Sequence, residues 1–159
     1  MAKFNAKISA EFTPPKTWVL ERALSFETDQ LSGADIDVLL EIGANVKNAS
    51  AGGGRITCKK GMKTDLACTP RILWNLIAPW DVARAAIIHD HLYAALRSYY
   101  KDRLNNGKWS YATWKMGKNI ADKVFLLGML AATPSVPKWK IYPSYWAVKV
   151  FGRKPASTG

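Results

Sequence analysis

Two stretches with the spacing of amphipathic helices constrain the fold of this chain most. After Pro79, small and apolar residues recur at intervals of three and four, which predicts a helix that ends near Tyr100. Its predicted buried face consists of Val82, Ala85, Ala86, His89, Tyr93 and Leu96. The second stretch starts near Ser110, and its predicted buried face consists of Trp114, Gly117, Ala121, Val124, Phe125 and Gly128. Because small residues allow close approach, we expect the two helices to pack side by side and antiparallel.

The remainder of the chain predicts strands before these helices and one short helix after them. "FNAKISAEF" (4–12) and "TWVLERALSF" (17–26) alternate apolar and polar residues, as half-buried strands do, and "TPP" between them predicts a turn. "YPSYWAVKVFG" (142–152) predicts a helix with Pro143 near its first turn. The expected fold class is α+β: a small N-terminal antiparallel β sheet packed on two long antiparallel helices plus a short C-terminal helix, in a single domain of residues 1–159.

Residues 31–54 are ambiguous. "DIDVLLEIGANV" (35–46) suits either a short helix or a strand, since its apolar residues fit both periods. "NASAGGGR" (48–55) predicts a loop without phosphate-binding chemistry, because no Lys followed by Ser or Thr opens a helix there. We interpret residues 31–54 as an inserted arm or loop that docks on another protein, because exposed apolar surface of this kind needs a cover.

The positive charge of the chain is concentrated in its last third. The formal net charge is +11, and the residues from Arg97 onward hold 12 Lys or Arg against two Asp or Glu. Such a composition indicates polyanion partners, either DNA or anionic envelope polymers, through residues 97–154, or else a solvated face with no partner. The aromatic residues of "KWKIYPSYWAVKVFGRK" (138–154) have helical spacing, so we expect them to face the core. No apolar run is long enough to cross a bilayer, so we expect no transmembrane segment.

Three ionisable residues in a row, His89, Asp90 and His91, interrupt the first predicted helix in "AAIIHDHLYAAL" (85–96). His89 falls on the buried face, whereas Asp90 lies about 100° around the helix. Asp122 lies beside the buried face of the second helix, so antiparallel packing would bring it to His89. An imidazole oriented by a carboxylate is the arrangement that prepares a general base.

We therefore expect a polar cluster between the two helices and the segment "TDLACTPR" (64–71). Its predicted members are Thr64, Asp65, Arg71, His89, Asp90, Tyr93 and Asp122. As a catalytic site, the cluster would use His89, Asp122 and Asp65. As a structural cluster it would pin the segment to the helices through hydrogen bonds, and we favour this use because Arg71 offers the carboxylates a cation without a metal.

Four blocks of the sequence also resemble a known family. "TDLACTPRILWNL", "AAIIHDHLYAA", "ADKVFLLGM" and "YWAVKVFG" occur in this order within about residues 55–152. They are similar to a family of short uncharacterised proteins of phages and prophages, although Cys68 stands where that family has Ser. The resemblance implies phage origin and a shared fold, and it implies no activity. We therefore predict a virion component of the tail or connector region, made in the host cytoplasm, with other virion proteins as partners.

A second resemblance is local. "HDHLY" (89–93) is similar to the His-Asp-x-Cys-Tyr core of secreted calcium-dependent phospholipases, whose flanking cysteines and glycine-rich loop have no counterpart here. It implies that His89 activates a water, that Asp122 orients His89 and that Asp90 holds a calcium ion. The alternative function is therefore a small His/Asp hydrolase acting on lipid or peptidoglycan. A non-specific nucleic-acid binder ranks third. We expect no cofactor, with Ca²⁺ as the alternative.

Overall fold

The fold combines two small antiparallel sheets with a set of packed helices. The computed structural model describes residues 2–5, 10–13, 17–64, 79–102, 109–132 and 136–157. Within these ranges the strands are β1 (Lys3–Phe4), β2 (Ala10–Thr13), β3 (Thr17–Leu20), β4 (Leu24–Thr28), β5 (Val46–Asn48), β6 (Gly54–Cys58) and β7 (Lys63–Thr64). The helices are α1 (Gly33–Glu41), α2 (Pro79–Lys101), α3 (Tyr111–Leu130), α4 (Lys138–Phe151) and α5 (Arg153–Ser157). The expected α+β class is confirmed.

The strands form one sheet in the order β1-β4-β6-β5 and another in the order β2-β3-β7. The stretch predicted as one strand, residues 17–26, divides between them, because the chain bends at Glu21 and Arg22. Leu20, Leu24 and Phe26 are all buried. The alternation therefore predicts the burial of these three residues correctly, but Arg22, which it also placed on the buried side, is exposed at the bend.

Residues 31–54 belong to the core. A capping box starts α1, since the Ser32 hydroxyl accepts from the Asp35 amide and the Asp35 carboxylate accepts from the Ser32 amide, each at 3.1 Å. β5 pairs with β6 through a turn in which Gly53 has φ +77°, and a Cβ there would collide with the Thr28 carbonyl. The buried apolar residues of the segment are Leu31, Ile36, Val38, Leu39, Ile42, Ala44 and Val46. The expectation of a docking arm is wrong, because the chain's own core covers these residues.

The two long helices pack antiparallel, as predicted. Ala85 of α2 lies against Gly128 of α3, and Leu96 lies against Gly117. A Cβ built on either glycine would come within 2.9 Å of its neighbour's side chain, so the helices are too close here for a larger residue. Ser110 caps α3 by accepting a hydrogen bond from the Thr113 amide at 3.3 Å.

The C-terminal helix is longer than predicted and its outer side is exposed. α4 starts four residues before Tyr142, so that Pro143 lies inside it. Its buried residues are Ile141, Ser144 and Val148. Its exposed large apolar residues are Trp139, Tyr142, Trp146, Val150 and Phe151, which we call the α4 outer face. The expectation that the aromatic residues of this segment face the core is therefore wrong for four of them, Trp139, Tyr142, Trp146 and Phe151.

The short helix α5 packs against the core. α5 places Ala156 with none of its surface exposed, and its carbonyl accepts a hydrogen bond from Trp114 Nε1 at 3.2 Å. No helix in the described ranges has the length and apolar character needed to cross a membrane.

Candidate functional site

Three consecutive side chains of α2 reach three different elements. His89 Nε2 lies 2.9 Å from Asp122 Oδ1 on α3. Asp90 accepts a hydrogen bond from the Thr64 hydroxyl on β7. His91 Nε2 accepts from the backbone N–H of Asn45, between α1 and β5, at 3.1 Å. Because successive residues on a helix lie about 100° apart, three neighbouring polar residues can fasten one central helix on three sides.

Of these side-chain partners, Asp122 makes the most hydrogen bonds within the described residues: three side chains donate to its carboxylate. Its Oδ1 accepts from Tyr93 Oη at 2.7 Å as well as from His89, and its Oδ2 accepts from Lys118 Nζ at 2.8 Å. We call His89, Tyr93, Lys118 and Asp122 the Asp122 cluster. All four residues are buried, and His89 and Tyr93 have no exposed surface. A buried carboxylate needs such donors, because its transfer out of water costs several kcal/mol unless hydrogen bonds and a cation compensate for the lost hydration.

The spacing within each helix explains why these side chains converge. His89 and Tyr93 are four residues apart on α2, and Lys118 and Asp122 are four apart on α3, so each pair lies on one side of its helix. Antiparallel packing brings the two sides together. The imidazole ring also lies 4.0 Å from the Tyr93 ring and 4.9 Å from the Phe125 ring, centroid to centroid. These contacts fix its orientation.

The cluster favours the ionised form of Asp122. Burial alone raises the pKa of this carboxyl group, but the hydrogen bonds and charges of His89 and Lys118 outweigh it. The net result is a pKa below the usual 3.8. Lys118 therefore supplies the compensating cation, from one turn away on the same helix.

The Asp122 cluster also reaches the C-terminal end of α4. Lys118 Nζ donates to the Lys149 carbonyl at 3.2 Å, and Tyr93 Oη lies 3.5 Å from the Val148 carbonyl oxygen. A cation at a helix C-terminus is favourable because the last carbonyls carry partial negative charge. Gly152 passes so close that a Cβ would collide with the Tyr93 hydroxyl. The cluster thus joins α2, α3 and the end of α4.

A second polar group lies where α2 meets the sheets. Asp90 and Thr64 are both buried and pair with each other. The Cys58 thiol donates to the Ile87 carbonyl at 3.8 Å, and burial, with the nearby Asp90 charge, raises its pKa to about 12. This thiol is therefore unreactive as a nucleophile. Burial lowers the pKa of His91, and the charge of Asp90 opposes that shift.

The structure brings together three of the predicted cluster residues, His89, Tyr93 and Asp122. It places Thr64 and Asp90 in the second polar group, where they pair with each other. Asp65 and Arg71 lie outside the described residues. Sequence reasoning missed Lys118, although its place beside Gly117 and its spacing of four from Asp122 assign it to the packed side of α3.

The geometry constrains the chemistry of His89. Asp122 occupies Nε2, so a catalytic histidine would have to use Nδ1 as the base. Nδ1 is buried, and within the described residues it has no hydrogen-bond partner. The described ranges also contain no group of three or more His, Cys, Asp or Glu side chains able to hold a metal ion. The calcium role of Asp90 stays a prediction.

Comparison with protein families gives a match over more than half of the chain. The model of the family described as "Protein of unknown function (DUF1353)" matches residues 40–148, which include the whole Asp122 cluster and most of α4. No curated protein matches the chain, and no solved structure matches it. The expected resemblance to a family without known function agrees with this match, while phage origin stays a prediction.

Proposed function

This chain belongs to the DUF1353 family of proteins of unknown function, and from its own geometry we propose that it is a binding protein without catalytic activity. One observation carries the proposal. The side chains of the Asp122 cluster hydrogen-bond to one another and to a carbonyl near the end of α4, whereas the outer side of α4 exposes large apolar side chains. We propose that the cluster holds α4 in place and that the α4 outer face contacts a partner.

The α4 outer face supports a binding role because it concentrates apolar surface on one element. Its five residues are between 42% and 66% exposed. Four of them follow one another at intervals of three, four and four, which places them on one side of the helix. Single exposed apolar residues are common, but grouped ones mark interaction sites.

The setting that we propose is a phage particle. The support is the four-block resemblance, with the chain as a tail or connector component made in the host cytoplasm and held by other virion proteins. Mass spectrometry of gradient-purified particles tests this setting. We expect the chain at a constant ratio to the tail proteins across the particle peak, and its absence from that peak would refute the setting.

The alternative, a His/Asp hydrolase of lipid or peptidoglycan, needs His89 to reach a substrate. His89 has none of its surface exposed, so we rank this function second. Incubating the pure chain with phospholipid vesicles and with peptidoglycan, with and without Ca²⁺, tests it directly. We expect no released product. Product that forms with the natural chain and disappears in His89→Gln would establish the hydrolase and refute the binding-only function.

A further inference from the structure

We propose that the α4 outer face docks on an anionic lipid bilayer, with α4 lying flat at the level of the headgroups. This inference rests on the proposed function, because it names the partner of the surface assigned there. Three properties of the face support it: its shape, its aromatic content and its charge.

The face is the outer side of a helix whose inner side is already covered. Ile141, Ser144 and Val148 are buried on the inner side, while Trp139 and Trp146 are 63% and 56% exposed on the outer one. A helix with apolar residues on both sides typically has an apolar neighbour on each side. The protein core is one neighbour, and a lipid surface suits the other because it requires only a convex apolar strip.

The residue types match the bilayer interface. Trp139, Tyr142 and Trp146 combine an apolar ring with a polar N–H or O–H, the combination that places these residues at headgroup level. Val150 and Phe151, 65% and 66% exposed, continue the strip toward the end of α4 and supply apolar area to the acyl boundary.

The charges beside the face favour an anionic surface. Lys140 Nζ lies 5.5 Å from the Trp139 ring, and Lys149 Nζ lies 5.4 Å from the Trp146 ring. No Asp or Glu follows Asp122 in the sequence, so α4 and α5 carry cations only. Lysines in such positions can keep their stems along the rings while their ammonium groups meet lipid phosphates.

The same features count against the other two macromolecular partners. Protein interfaces are depleted in lysine, whereas a lysine lies beside each of the two tryptophan rings of this face. Single-stranded nucleic acids are bound in basic grooves by stacking on aromatic rings. The strip here lies on the outside of one helix and includes Val150, which has no ring to stack on.

The test is vesicle sedimentation of the full-length chain. We expect it to pellet with vesicles of phosphatidylcholine mixed equally with phosphatidylglycerol, and to pellet weakly with phosphatidylcholine alone. Added salt should reduce binding to the anionic vesicles.

Trp139→Ala combined with Trp146→Ala should weaken this binding by about tenfold or more, which corresponds to about 1.4 kcal/mol. The matched control is Met116→Ala combined with Leu130→Ala, two exposed apolar residues of α3, which should bind like the natural chain. Thermal unfolding confirms that both double variants fold.

Two results would overturn the inference. One is equal binding, or no binding, to anionic and neutral vesicles. The other is that the tryptophan variant loses binding to a single-stranded DNA oligonucleotide while vesicle binding is unaffected, which would assign the face to nucleic acid. Failure here is distinguishable from failure of the proposed function. A chain present in particles and inactive as a hydrolase, yet unable to bind vesicles, refutes the lipid partner alone.

Discussion

The imidazole of His89 and the carboxylate of Asp122 meet at 2.9 Å, and neither side chain exposes more than 1% of its surface. Tyr93 and Lys118 complete the donors around this carboxylate and continue to the last carbonyls of α4. The pair therefore lies at the junction of three helices. In our account it positions α4, and the α4 outer face binds the partner.

Removing the imidazole tests how much the pair of His89 and Asp122 contributes to the stability of the fold. We expect His89→Ala to lower the free energy of unfolding by about 3–5 kcal/mol, because it leaves a buried carboxylate short of a donor and creates a cavity. His91→Ala is the matched control on the same helix. It removes one half-buried acceptor, so we expect a loss of about 1 kcal/mol. Urea unfolding measures both, and a loss at His89 no larger than that at His91 would contradict the account.

A pair of lysines on α3 tests the compensating charge. Lys118→Met should cost about 3–5 kcal/mol, because it strips a buried carboxylate of its cation. Lys123 is the control: its side chain is 43% exposed and lies 3.7 Å from Asp35, so Lys123→Met should cost less than about 1 kcal/mol. The two costs come from the same urea titration. Equal costs would mean that Asp122 does not depend on Lys118.

The pH dependence of stability tests the environment of His91. Burial, opposed by Asp90, lowers its folded pKa below 6.5, so the unfolded chain takes up this proton more readily. The free energy of unfolding should therefore fall as the pH drops from about 7.5 to about 5.5. His91→Gln keeps an acceptor for Asn45 and should flatten this part of the curve. A natural chain that becomes more stable on acidification over this range would contradict the predicted sign.

Gly152 tests the close contact between α4 and Tyr93. A Cβ there would collide with the Tyr93 hydroxyl and the Val148 carbonyl, so Gly152→Ala should cost about 1–3 kcal/mol. Gly33 at the start of α1 is the control, because within the described residues nothing lies within 4 Å of a Cβ at that position. Thermal unfolding of Gly33→Ala should match or slightly exceed the natural chain. If the two substitutions have the same effect, α4 does not pack as described.

The local pattern of the sequence was sufficient to predict the two long central helices. Small and apolar residues at helical spacing predicted α2 and α3, and antiparallel packing then placed His89 beside Asp122. Lys118 was not predicted, because lysine is rarely buried unless it has a partner, and the partner here is Asp122. Its spacing of four from Asp122 was the available indication.

Other features depend on tertiary contacts that periodicity does not report. The apolar residues of 31–54 fit an exposed arm or a core segment equally well, and only the packing of α1 and β5 decides between them. In α4, apolar residues lie on both sides of the helix, so the pattern cannot say which side meets the core. The change of sheet between β3 and β4 occurs within a stretch whose sequence alternates without a break, so the pattern gives no sign of the bend at Glu21 and Arg22.

Hydrogen–deuterium exchange of α4 tests the central claim, that the Asp122 cluster holds this helix in place. Tyr93→Phe removes the hydroxyl that donates to Asp122 and lies near Val148, while leaving the ring. If the claim is correct, amides in the second half of α4 exchange about tenfold faster in Tyr93→Phe than in the natural chain, and those of α1 change less. Exchange of α4 at the natural rate in this variant would contradict it.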